Sequence, residues 1–210
     1  MAIAEVIVIG ILILGSVAIG WWIGVAAGRR SLANLTALAD RLGLELAVSK
    51  FLNLVTRASV HGAVQGRPVR FWSYTTGSGK SQQTWAAVGV TPRQASGLEF
   101  RLSRQGFATK VQEFFGSKEI TVGDAEFDRA WFVRTNRPEF LAAALVPEIR
   151  AKLVAAHRAG GDGSFRLERG EVVYAERGSV GSARVVARLE AVLPVLLDLA
   201  DVAEVAGAPA

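Results

Sequence analysis

From Val6 to Gly28 the chain carries no charged side chain, and Ile, Val, Leu, Ala and Gly dominate until Arg29 and Arg30 close the run. At about 1.5 Å of rise per residue, a helix of that length crosses the roughly 30 Å hydrocarbon core of a bilayer. The pattern predicts a transmembrane anchor within residues 1–30. A cleaved leader fits less well, because the only early charge is Glu5 and the small residues Ser16-Val17-Ala18 lie inside the apolar run. Beyond the arginines, Ser31 can cap a helix in which Leu32, Leu35, Leu38, Ala39 and Leu42 recur at helical spacing until Gly43. Its polar face holds Asn34, Thr36 and Asp40, which favours packing on the domain over lying in an interface.

Leu44 to Val48 reads as a short strand, and Lys50 to Val55 as a helical turn or strand lead-in. From Ala58 the period becomes two, with strands predicted over Val60–Gln65, Pro68–Thr76 and Ser81–Val90. A two-residue loop at Ser78-Gly79 would set Trp72 opposite Trp85 and Phe71 opposite Ala86. Val69, Phe71, Ala86, Val88 and Val90 then share one face, and Arg70, Trp72, Tyr74, Gln83 and Trp85 the other. A further strand from Gly97 turns Phe100 and Leu102 inward and Glu99, Arg101 and Ser103 outward.

Thr109–Phe115 reads as a short helix, Lys118–Thr121 as a strand and Ala130–Arg134 as extended chain. Asn136, with Pro138 and Glu139 behind it, signals a helix start, which Pro147 interrupts and restarts as Pro147–His157. After Gly160-Gly161 a hairpin around Arg169-Gly170 sets Phe165 opposite Tyr174 and Leu167 opposite Val172. The last helix, from Ser182, presents Val185, Val186, Leu189, Val192, Leu193, Leu196, Leu197 and Ala200 as a broad apolar face, with Pro194 within it. The expected fold is α+β: one N-terminal transmembrane helix, then a single domain over 31–206 whose antiparallel sheet packs against several helices, and a tail at 207–210.

Charge changes the picture only slightly. The net charge of +5 is scattered without a basic block, so no nucleic-acid partner is expected, and the lack of cysteine excludes disulfides and thiolate metal sites. The arginines after the apolar run place the body in the cytoplasm by the positive-inside tendency, and Trp21 and Trp22 suit the interfacial zone.

Motifs for catalysis are sparse. Gly77-Ser78-Gly79-Lys80-Ser81 resembles the end of a phosphate-binding loop, but Tyr74 stands where the first Gly belongs and strand periodicity replaces the required helix. His61 and His157 lack ligand-spaced partners, and no serine occupies a nucleophile elbow. Asp124, Glu126 and Asp128, with Glu119, could gather oxygen ligands for Ca²⁺ or Mg²⁺, but lack the spacing of a calcium loop. The structural alternative has Asp124 as a cap, Asp128 as a partner for Arg129, Arg134 or backbone N–H, and Phe127 and Trp131 in the core. Arg70, Trp72, Tyr74, Lys80 and Trp85 form a candidate interaction face for a protein partner or lipid headgroups, unless helices bury it.

Gly66-Arg67-Pro68-Val69, Gly77-Ser78-Gly79-Lys80-Ser81, the stretch Gly123 to Trp131 and Thr135-Asn136-Arg137-Pro138-Glu139 together resemble a family of uncharacterised bacterial membrane-anchored proteins with a cytoplasmic α+β domain. The resemblance implies a bacterial inner-membrane setting and no assigned activity. The expected function is a membrane-tethered interaction or scaffold domain, single-pass, touching the bilayer through residues 6–28. The alternative is a hydrolase or divalent-metal-dependent enzyme built on Asp124 to Asp128. No cofactor and no small-molecule ligand is identifiable from the sequence.

Overall fold

The structure, a computed structural model, describes residues 15–16, 22, 25–26, 28–51, 54–94, 96–104 and 118–207. After a helix α1 over 28–42, it runs β1 (Glu45–Phe51), β2 (Leu54–Val64), β3 (Arg67–Thr76), β4 (Gln83–Val90), β5 (Phe100–Arg104), β6 (Lys118–Ile120), α2 (Ala125–Ala130), β7 (Trp131–Thr135), α3 (Pro138–Ala144), α4 (Pro147–Arg158), β8 (Ser164–Glu168), β9 (Glu171–Arg177) and α5 (Ala183–Gly207). One antiparallel sheet of nine strands holds them in the order β1-β2-β3-β4-β9-β8-β5-β7-β6. Period-two alternation builds its core face from Val69, Phe71, Val88, Phe100, Leu102, Val133, Phe165, Val172 and Tyr174. Against that face lies α5, whose Val185, Leu189, Val192, Leu196 and Leu199 return on one broad stripe.

The transmembrane anchor is corrected here. Among the described residues no helix is long and apolar enough to cross a membrane, and most of 6–28 lies outside them. Where the description becomes continuous, α1 belongs to the domain: Leu35 and Leu38 are fully buried in the main core. Asn34 Nδ2 donates to Gly181 O at 2.9 Å, and Arg41 pairs with Glu190 at 2.6 Å. Bilayer contact through 6–28, the single-pass inner-membrane location with a cytoplasmic body, and the tethered scaffold function lose their support together.

Two hairpins have two-residue turns with both residues at positive φ, the geometry that matches strand twist. They are Gln65-Gly66, at 53° and 72°, and Arg169-Gly170, at 54° and 77°. The second produces the expected register, Phe165 opposite Tyr174 and Leu167 opposite Val172. The β3–β4 hairpin differs from expectation. Ser81 donates both its N–H, at 3.1 Å, and its hydroxyl, at 2.8 Å, to Ser78 O, closing a 3₁₀ turn over Gly79–Ser81. The loop is therefore longer than Ser78-Gly79 and the pairing slides by two residues, so Tyr74 faces Trp85, Trp72 faces Ala87 and Phe71 faces Val88. An even slip preserves the two faces.

Of the two readings for Lys50–Val55, the described backbone takes the extended one, belonging to β1 and β2 with a register shift at Ser49/Lys50. Asn136 does not cap α3. Its Oδ1 accepts from Glu99 N at 2.9 Å and its Nδ2 donates to Gly97 O at 2.8 Å, tying two loops, while the N-cap residue is Arg137. The helix expected over Thr109–Phe115 and the end of the tail lie outside the described residues.

Candidate functional site

Arg70, Trp72, Tyr74 and Trp85 share the sheet face opposite α5, whereas Lys80 sits in the exposed 3₁₀ turn beyond it. No described helix joins the small apolar cluster there, formed by Ala87, Val173 and Ala175 with Trp72 and Tyr74. Much of the face is occupied by its own contacts. Arg70 makes a bidentate pair with Glu171, at 2.5 and 2.6 Å, and lies 4.0 Å from the centre of the Trp72 ring. Gly89 permits this layer to lie flat, because a Cβ there would come within 2.5 Å of Glu171 Oε1. Tyr74 stacks on Trp85 at 6.5 Å, and Trp85 Nε1 donates to Thr76 Oγ1 at 2.8 Å.

The acidic stretch is committed to local structure. Asp124 Oδ1 accepts from Glu126 N and Phe127 N, each at 3.2 Å, as the N-cap of α2, and its other oxygen meets Arg150 at 3.3 Å. Asp128 accepts from Val122 N and Gly123 N, and Glu126 pairs with Arg158. Phe127 and Trp131 are buried, and Trp131 Nε1 donates to Leu153 O at 3.1 Å. Among the described residues no group of three or more His, Asp or Glu side chains is placed to hold a metal ion. The metal-dependent or hydrolytic use of Asp124 to Asp128 is corrected accordingly: these carboxylates already serve backbone N–H groups and arginines. The two histidines are also apart. His61 lies exposed on β2 near Glu45, while His157 packs edge-on to Trp131, where burial and then Arg104 lower its pKa.

A site absent from the sequence reading lies between α4 and α5. Small side chains on the facing helices, Ala155, Ala156 and Ala159 against Ala191, leave a cleft of about 360 Å³ with mostly apolar walls. That volume falls within the range of small-molecule sites, about 300–1,000 Å³. Tyr174 and Arg188 bring polar groups to it. Behind them the fully buried Glu176 accepts from Tyr174 Oη at 2.9 Å and from Arg188 Nε and Nη2 at 3.0 and 2.5 Å. Burial, then the Glu176 charge, pushes the Tyr174 phenol upward, so it remains a donor; the hydrogen bond to Glu176 raises Arg188. The loop after α4 seals this triad: a Cβ on Gly163 would lie 2.2 Å from Tyr174 Cζ.

A second apolar cleft, about 490 Å³, opens further along α5 between Phe140, Ile149, Val202 and Val205. Lys152 lines both clefts, and its Nζ donates to Asp198 Oδ2 at 2.6 Å. Sequence carried a signal for the first cleft's polar end. Glu176 is in phase with the inward Val172 and Tyr174, so a carboxylate was due in the core, and Arg188 follows Val185 on α5 at helical spacing.

No protein-family model matches the chain, and no curated protein matches it. The resemblance to uncharacterised membrane-anchored proteins is therefore corrected to an α+β domain without a family placement. Among solved structures, the mycobacterial trehalose monomycolate transport factor A, TtfA, is similar with a TM-score of 0.54 and 14% identity, over 88% of this chain and 97% of that one. At that identity the likeness shows a shared fold.

Proposed function

We propose that this domain is a non-catalytic binding domain for a small amphipathic molecule. The apolar chain of the ligand enters the α4–α5 cleft, and its hydrogen-bond-accepting head meets Arg188. The observation that carries the reading is the pairing of apolar walls with a built polar end, Tyr174 and Arg188 fixed by a buried Glu176. Such a combination orients a ligand with few polar contacts. A catalytic use finds less support, because Glu176 is saturated by its partners and the Tyr174 phenol is held protonated. The similar structure is named for transport of trehalose monomycolate, which agrees in kind with a carrier of amphipathic molecules.

A fluorescence titration with cis-parinaric acid tests this. Wild-type protein is expected to bind saturably, and Ala191→Phe, at an exposed position on the cleft wall, to weaken binding at least tenfold with an unchanged melting temperature. Absence of saturable binding, or equal binding by the variant, would reject the cleft as the site.

A further inference from the structure

On the sheet face away from α5, three arginines lie abreast. Arg166 of β8 is in register with Arg101 of β5, and Arg101 with Arg134 of β7. Side chains directly opposite on one face of an antiparallel sheet stand about 5 Å apart at Cβ, where like charges repel. Other cations on this face have acidic neighbours: Arg70 pairs with Glu171, Arg177 with Asp162 at 3.2 Å, and Arg134 at the end of the row is in register with Glu119 of β6. The centre of the row is different. Arg101 Nε is out of water and has no hydrogen-bond partner among the described residues.

Its nearest compensation is indirect. Arg166 reaches Glu168 only at 3.8 Å, and the same carboxylate is shared with Arg169 at 3.7 Å. Burial, and then Arg166, lower the Arg101 pKa against weaker opposing effects of Glu168 and Tyr74. A half-buried guanidinium beside another cation, with its Nε–H left over, is electrostatically incomplete.

The geometry points to an oxyanion-binding site in which Arg101 and Arg166 together take a carboxylate or a phosphate group. A guanidinium offers parallel N–H donors that match either group, and a neighbouring cation stabilises the same charge. The site is separate from the α4–α5 cleft, being on the opposite face of the sheet, and does not depend on the function proposed for that cleft.

The test uses the full chain with arginine side chains labelled for NMR, titrated with inorganic phosphate and, separately, with acetate at constant ionic strength set by chloride. The expected result is a saturable shift of the Arg101 Nε–Hε signal with at least one of the two anions, and loss of that binding by tenfold or more in Arg101→Gln. A response to phosphate alone identifies a phosphorylated ligand, and a response to acetate alone a carboxylate. In anion-free buffer, Arg101→Gln is expected to melt no lower than wild type, because it removes a repelled charge; an arginine serving only the fold would lose stability. Arg166→Gln supplies a second reading, again as weakened anion binding. No saturable shift with either anion, anion binding unaltered in both variants, or a melting temperature lowered by several degrees in Arg101→Gln would overturn the assignment.

Discussion

Without Arg188, the buried Glu176 carboxylate would keep a single phenol as its side-chain partner. Breaking one side of a buried ion pair costs about 3–5 kcal/mol, because the group left behind is buried without compensation. Arg188→Ala is therefore expected to lower the urea unfolding free energy by about that amount. Lys152→Ala, which removes a partly exposed pair with Asp198, should cost no more than about 1 kcal/mol. Equal effects of the two substitutions would mean that Glu176 is not held as the geometry indicates. Residue identity alone hinted at this group, since an inward carboxylate demands a partner, but which cation answered it depended on where α5 came to rest.

At the scale of elements, local chemistry was the legible part. Helix periodicity located α5, and two-residue spacing located β3, β4, β8 and β9, because each pattern acts within a few residues. Turn chemistry was less secure: the β3–β4 loop lengthened when Ser81 turned back on Ser78, and Asn136 spent its amide on the β5 approach instead of on α3. The α2 cap is a case where spacing and geometry can be tested together. Asp124→Ala removes the acceptor for two free N–H groups and is expected to lower stability by about 0.5–2 kcal/mol. Thermal melting in metal-free buffer with a chelator present measures this; an unchanged melting temperature would remove Asp124 from the structural account.

For the whole molecule, the pairings that make nine strands into one sheet could not be read from the chain. β4 joins β9, and β5 lies between β7 and β8, so these contacts span long stretches of sequence and leave no local periodic trace. The apolar run at the start was legible as composition, but among the described residues no helix is long and apolar enough to cross a membrane, while the helix expected after Arg30 packs into the domain as its polar face indicated. The cleft was invisible for a related reason: it is the gap left by alanines on two helices that meet only in the fold.

One long-range tie does predict how the molecule answers acid. Buried Arg67, at the start of β3, grips Glu204 near the end of α5 at 2.8 and 2.9 Å, and Arg93 N donates to the same carboxylate. These hydrogen bonds, Arg67 first, hold the Glu204 pKa down to about 2. An unfolded glutamate titrates near 4.3, so the stabilisation is fully present above that pH and is lost as pH falls through the folded value. Unfolding free energy measured from pH 5 toward 2 should decline, and Glu204→Gln should flatten the decline; identical slopes would exclude this clamp as its source. The tie between α1 and α5 has a mechanical meaning. Asn34 meets Val180 and Gly181 while Arg41 meets Glu190, so the two segments advance in the same direction. Pulling on the chain ahead of residue 28 along the axis of α1 would load both polar ties and the Leu35 and Leu38 contacts in shear, all at once, where a perpendicular pull would peel them apart in sequence.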